Sequence, residues 1–228
     1  MKKYRKVLLT VLLCVLMVGC TEHPTEGLEF TQRNGSYAVT GYHGDDVHVV
    51  IPAMYNDVPV TVIAEDAFAN SEIQSIKVGS NVEIIENGAF AYASLLKTVE
   101  LPKSLKELGS DWLGRSKGVF YACSNLESVE IKGESCLTTI GMDAFSNCGA
   151  LSYFEIPSGV AYIGQDAFLR CSSLSTLTIP NTVTFVGYRA FGFLGKNQMI
   201  NIMGSTDGWA EYYYGDWKSS CNAKIEYN

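Results

Sequence analysis

Histidine, basic residues and proline are scarce in this chain. Three histidines in 228 residues, with no paired Cys-x-x-Cys, leave little material for a zinc site. Basic residues number 17 against 24 acids. Phosphate affinity comes from clustered Lys and Arg, so the balance argues against a nucleic-acid partner. No glycine loop cradles a phosphate and no nucleotide motif is present, so no cofactor is expected. No apolar run reaches the roughly 20 residues that a membrane-spanning helix needs. What is present, 47% apolar and 18% charged residues, is a globular composition.

The first twenty residues, MKKYRKVLLTVLLCVLMVGC, have a basic head (Lys2, Lys3, Arg5, Lys6) and then an apolar stretch from Val7 to Val18. This is the layout of a secretory signal. Its end, Leu16-Met17-Val18-Gly19-Cys20, resembles the lipobox of bacterial lipoproteins, with Met17 where Leu is usual. That resemblance implies cleavage before Cys20, a lipid on its thiol and a membrane anchor. A plain secretory signal with a chance cysteine is the other reading. Residues 1–19 then form the signal peptide and 20–27 a polar tether. Without the signal the chain holds 24 acids against 13 bases, a net charge of -11.

The body repeats itself, and internal repeats decide a fold before any local feature does. A phenylalanine follows a small residue or valine at Phe68, Phe90, Phe120, Phe145, Phe168 and Phe191, with spacings of 22, 30, 25, 23 and 23. The clearest frame is LSTLTIPNTVTFVGYRAF, Leu174 to Phe191, preceded by LSYFEIPSGVAYIGQDAF, Leu151 to Phe168. L-x-x-L-x-I reads as a strand with alternate residues inward. Pro102, Pro157 and Pro180 end three such strands. A second inward pair follows each strand, for example Val160/Ile163 and Val183/Val186, and then a turn glycine (Gly109, Gly141, Gly164, Gly187). Asp66, Asp143 and Asp166 precede Ala-Phe, where a side-chain oxygen caps a one-turn helix. One repeat cannot hide its apolar face, but stacked repeats share a continuous core.

This frame resembles the BspA-like family of bacterial leucine-rich repeats over roughly residues 37–228. The opening Tyr37-Ala38-Val39-Thr40-Gly41-Tyr42 and the closing Gly208-Trp209 to Trp217 and Cys221-Asn222-Ala223-Lys224-Ile225 also resemble segments of that family. The resemblance implies a leucine-rich-repeat solenoid, α/β horseshoe-like and mostly β with short helical or 3-10 turns: a short, curved, right-handed array with caps at both ends. It also implies export and a surface role in binding or adhesion, and it carries no catalytic residues. The expected boundaries are 28–46 for the N-terminal cap, 47–204 for the solenoid and 205–228 for the C-terminal cap. The third and fourth repeats depart from the pattern.

About seven extra residues lie near Gly109 to Gly118. Insertions in solenoids form loops on one face, often the recognition face. Trp112 is either a contact residue there or a lid folded onto the core edge. About two extra residues near Lys132 to Cys136 read as a local bulge. Cys123, Cys148 and Cys171 each sit three residues after their Phe, where other copies carry Ser71, Ala93 and Leu194. Such a column reads as free buried thiols. Cys136 and Cys221 fall off it.

His43 and His48 are too few for a nucleophile, base and acid set. The middle outward position of successive strands carries Lys77, Glu100, Glu130, Glu155 and Thr178; Tyr153 belongs to the neighbouring small and polar column. Three glutamates on one sheet either prefer a cationic partner or keep an exposed sheet soluble. The tail aromatics Trp209, Tyr212, Tyr213, Tyr214, Trp217 and Tyr227 read as a cap. The sequence thus points to a non-enzymatic, lipid-anchored protein of the cell envelope, exposed outside the cytoplasm. It would bind a protein or glycan ligand through its strand face and loops. The alternatives are a carbohydrate-active envelope enzyme on a solenoid scaffold and a structural accessory of envelope complexes.

Overall fold

The computed structural model describes residues 24–110, 117–204, 206, 209 and 216–228. The expected signal peptide, Cys20, Trp112 and Tyr212 to Tyr214 lie outside the described residues. Within them the chain winds into a mostly-β solenoid, the fold expected from the repeats. Most coils contribute one strand of three or four residues to a broad face and one two-residue strand to a narrow face.

On the broad face, His48–Val50, Ser75–Lys77, Thr98–Leu101 and Ser128–Ile131 form a parallel four-stranded sheet. Thr176–Ile179, Met199–Ile202 and Lys224–Tyr227 form a parallel three-stranded one. The narrow face belongs to a nine-stranded sheet. It starts at a hairpin of Leu28–Arg33 and Ser36–Tyr42 across Asn34 and Gly35, both at positive φ. Ser36–Tyr42 then pairs in parallel with Val58–Ile63, so the hairpin also serves as the first rung of the solenoid. Ile84–Ile85, Glu107–Leu108, Thr139–Ile140, Tyr162–Ile163 and Phe185–Val186 follow in order.

The phenylalanine column is the spine of the core. Phe68, Phe90, Phe120, Phe145, Phe168 and Phe191 are all essentially inaccessible to solvent. Consecutive rings stack with centroids 5.2, 5.2, 5.4, 5.3 and 5.9 Å apart and planes within 18°. This spacing is close to the roughly 4.8 Å between strands, so a residue repeated once per coil must meet its own copy. Tyr42 closes the column at one end and Trp217 at the other, each with its ring centroid 5.8 Å from the terminal phenyl ring. The Trp209 indole N–H donates to the Val183 carbonyl at 2.9 Å and the Trp209 ring meets Trp217, as a cap requires.

The corner carrying each phenylalanine is a turn, not the short helix expected there. The described residues contain no α- or 3-10 helix. The backbone N–H groups of Phe68, Phe90, Phe120, Phe145 and Phe168 donate to Ala89, Val119, Ala144, Ala167 and Ala190 of the next coil. An N–H committed to a neighbouring coil is not available to a carbonyl four residues back. Asp66, Asp143 and Asp166 accordingly sit at φ 57°, 55° and 55°, in the left-handed region that Asp and Asn tolerate, and do not cap helices. Two of the expected turn glycines serve close packing instead. A Cβ on Gly141 would lie 2.5 Å from the Gly109 carbonyl carbon, and one on Gly187 would lie 2.4 Å from the Gln165 nitrogen.

Cys123, Cys148 and Cys171 are buried and unpaired. Each thiol donates to the carbonyl of a phenylalanine on an adjoining coil, at 3.0 to 3.1 Å. Burial pushes the Cys123 and Cys171 thiols up to about 12 and raises Cys148 as well. They are inert packing groups, as their small, weakly polar column implied.

Candidate functional site

The broad face is not continuous. Between Ser128–Ile131 and Thr176–Ile179 the ladder contracts to one bridge, Ser128 to Tyr153. Two sequence features meet at this break. Most coils set the paired inward positions four residues apart: Val78 to Val82, Leu101 to Leu105, Ile156 to Val160, Ile179 to Val183. From Ile131 to Leu137 the step is six, and the surplus swings the Lys132 to Cys136 turn outward, with Gly133 at φ 76°. In the next coil Phe154 fills the inward position that Ile76, Val99, Val129, Leu177 and Ile200 fill elsewhere. Its ring is buried against Phe145 and Phe168 at 4.8 and 5.8 Å. A larger ring at that depth holds the backbone off the ladder.

The result is an open cleft of about 440 Å³ between the two coils. One wall is Val129 to Ile131 with Gly133 to Ser135; the other is Tyr153, Glu155, Pro157 and Ser158. At the Lys132 to Cys136 turn the first wall ends on Ile131. This side chain is only half-buried, whereas Val78, Leu101, Ile156 and Ile179 at the same repeat position are 0 to 5% exposed. Tyr153 stands 61% exposed at the mouth. The lining carries three carboxylates, Glu130, Glu134 and Glu155, and no basic side chain.

The expected contact residues divide among three places. Lys77, Glu100 and Glu130 are in register on adjacent strands of the four-stranded sheet. Glu130, Tyr153 and Glu155 meet at the cleft. Thr178 lies beyond the break, in register with Asn201 of the other sheet. Three glutamates therefore do not stack as one stripe: Glu100 and Glu130 do, and Glu155 faces outward without joining the ladder. The stacked pair is also partly neutralised. Lys132 Nζ lies 2.7 Å from Glu130 Oε1, and this hydrogen bond raises the Lys132 ammonium above its ordinary value. The first broad strand shows His48 outward, with Nδ1 2.8 Å from Ser75 Oγ.

Ile131, Glu134, Ser135, Pro157 and Ser158 are not among the contact residues expected from the sequence. The signal that leads to them is the surplus between Ile131 and Leu137, which in the sequence reads only as a local bulge. Among the described residues no group of three or more His, Cys, Asp or Glu is placed to hold a metal ion.

Fold and surface together define a leucine-rich-repeat solenoid. The chain belongs to the BspA-type leucine-rich repeat family: residues 61–193 and 116–219 match the family's six-copy repeat region. It is similar in fold to a leucine-rich repeat protein of T. pallidum (TM-score 0.72, 23% identity over 88% of this chain and 89% of that one). A leucine-rich repeat protein of Bacteroides ovatus is also similar (TM-score 0.48, 16% identity, 91% of this chain and 76% of that one). No curated protein is significantly similar in sequence.

Proposed function

We propose that this is a lipid-anchored protein displayed outside the cytoplasm, which holds a protein or glycan ligand against its broad face and adjacent loops without chemistry. The observation that carries this reading is the cleft at the break in the broad sheet, where Glu130, Tyr153 and Glu155 converge. A repeat array gives a rigid, extended surface, and repeat proteins use such surfaces for recognition. Family membership supports an interaction role over catalysis. The Gly19-Cys20 junction supports the anchor. Several acyl chains, at about 0.8 kcal/mol per buried CH₂, hold a protein firmly to a membrane.

One experiment tests anchor and surface together. The full chain is expressed in a bacterial host as wild type, as Cys20→Ala, and with Glu100, Glu130 and Glu155 each changed to Lys. Wild type is expected in the membrane fraction, with cells adhering to at least one immobilised matrix protein or glycan. Cys20→Ala is expected to leave the membrane fraction. The charge-reversed protein is expected to stay anchored but lose adhesion. Unchanged membrane association of Cys20→Ala would defeat the anchor, and unchanged adhesion of the charge-reversed protein would defeat the surface.

A further inference from the structure

We infer that the cleft at the break in the broad sheet takes an extended peptide segment carrying lysine or arginine. This rests on the reading of the broad face as the contact surface and specifies the ligand's chemistry. Three independent features define the occupant. The first is backbone. The ladder that joins Thr98–Leu101 to Ser128–Ile131 at four registered positions shrinks to one bridge on the far side of Ser128–Ile131. A chain in extended conformation supplies main-chain partners of the kind that the ladder stops supplying there. The second is apolar. Ile131 is partly uncovered where Val78, Leu101, Ile156 and Ile179 are buried, and the exposed Tyr153 ring lines the same cleft. The third is charge. Glu130, Glu134 and Glu155 line the cleft, and Lys132, which pairs with Glu130, is the basic group held against this rim.

Long cationic side chains meet the last two demands at once. Their methylene stems lie along apolar surface while the charged heads reach a polar rim. A lysine or arginine lying over Ile131 and Tyr153 brings its head among the carboxylates. An acidic segment would be repelled by the same rim, and a neutral sugar would bring no counter-charge to Glu134 and Glu155.

The test uses the purified full-length chain in detergent and three probes: a labelled peptide of six Lys-Ala repeats, its Gln-Ala counterpart, and a linear β-1,4-linked glucose pentasaccharide. The lysine peptide is expected to bind, and to weaken as salt rises, because exposed charges are screened beyond roughly 8–10 Å. The glutamine peptide is expected to bind at least about tenfold more weakly. Two cleft variants, Glu130→Gln/Glu134→Gln/Glu155→Gln and Ser158→Lys, are expected to weaken the lysine peptide by a similar factor. Ser158→Lys adds a cation at an exposed rim position without altering the carboxylates, so the test survives if the triple variant fails to fold. Glu107→Gln, which removes an exposed carboxylate from the narrow face, is expected to leave binding unchanged. Equal binding of both peptides, binding of the pentasaccharide in place of the lysine peptide, or indifference of the folded cleft variants to the lysine peptide would each overturn the inference. If the lysine peptide fails while adhesion still depends on Glu100, Glu130 and Glu155, the cleft inference falls and the broad-face reading stands. If both fail, the broad-face reading falls with it.

Discussion

At the scale of the residue, the coil corners combine buried charge with left-handed backbone. Asp166 is buried and takes a two-pronged ion pair from Arg189, with both N–O distances at 2.9 Å. Asp143 occupies the same corner one coil earlier. Burial raises its carboxyl above the ordinary range, and the neighbouring Asp166 charge pushes it the same way. A carboxyl whose pKa is higher folded than unfolded contributes stability that is complete below the unfolded value, about 3.9, and is lost as pH rises through the folded value. Asp143→Asn keeps a residue suited to φ 55° and removes the ionisation. It is expected to melt higher than wild type near pH 7, with the gain shrinking as pH falls towards about 3.9. Melting curves at several pH values check this; a gain independent of pH, or a loss at pH 7, would contradict it. The phenylalanine column and the buried cysteines were legible in the sequence because one side chain per coil at near-constant spacing leaves only one geometry. The role of the aspartates was not. Asp before a small residue and an aromatic looks alike as a helix cap and as a left-handed turn residue. What separates them is whether the following N–H groups bond within their own coil or to the next.

At the scale of the element, one irregular turn has more consequence than any single side chain. The surplus between Ile131 and Leu137 was visible as a count, but not as a cleft. A count does not say whether the extra residues fold over the core or swing away from it. Phe154 contributes from the next coil, and only the stacking of the coils brings the two together. Deleting Gly133 and Glu134 restores the four-residue spacing. The deletion is expected to close the cleft, abolish binding of the lysine peptide, and leave the melting temperature within about 4 °C of wild type, a shift corresponding to roughly 1 kcal/mol in a domain of this size. Isothermal calorimetry and thermal melts read the two effects separately. Retained peptide binding after the deletion would show that the turn does not form the site.

At the scale of the whole molecule, the solenoid is a stack of coils, each leaning on its neighbours, closed by Tyr42 at one end and Trp217 at the other. This architecture was readable from the repeat alone, because no single coil buries its own apolar face. The division of the broad face into two sheets was not readable, since LSYFEIP matches the strand frame as well as LSTLTIP does. Amide hydrogen exchange along the broad face tests that division most directly, because protection follows the local hydrogen bonding and stability of each segment. The amides of Val99 to Leu101 are expected to exchange slowly, those of Phe154 to Ile156 quickly, and the latter to slow when the lysine peptide is added. Uniform protection of both segments, unaffected by the peptide, would contradict the account.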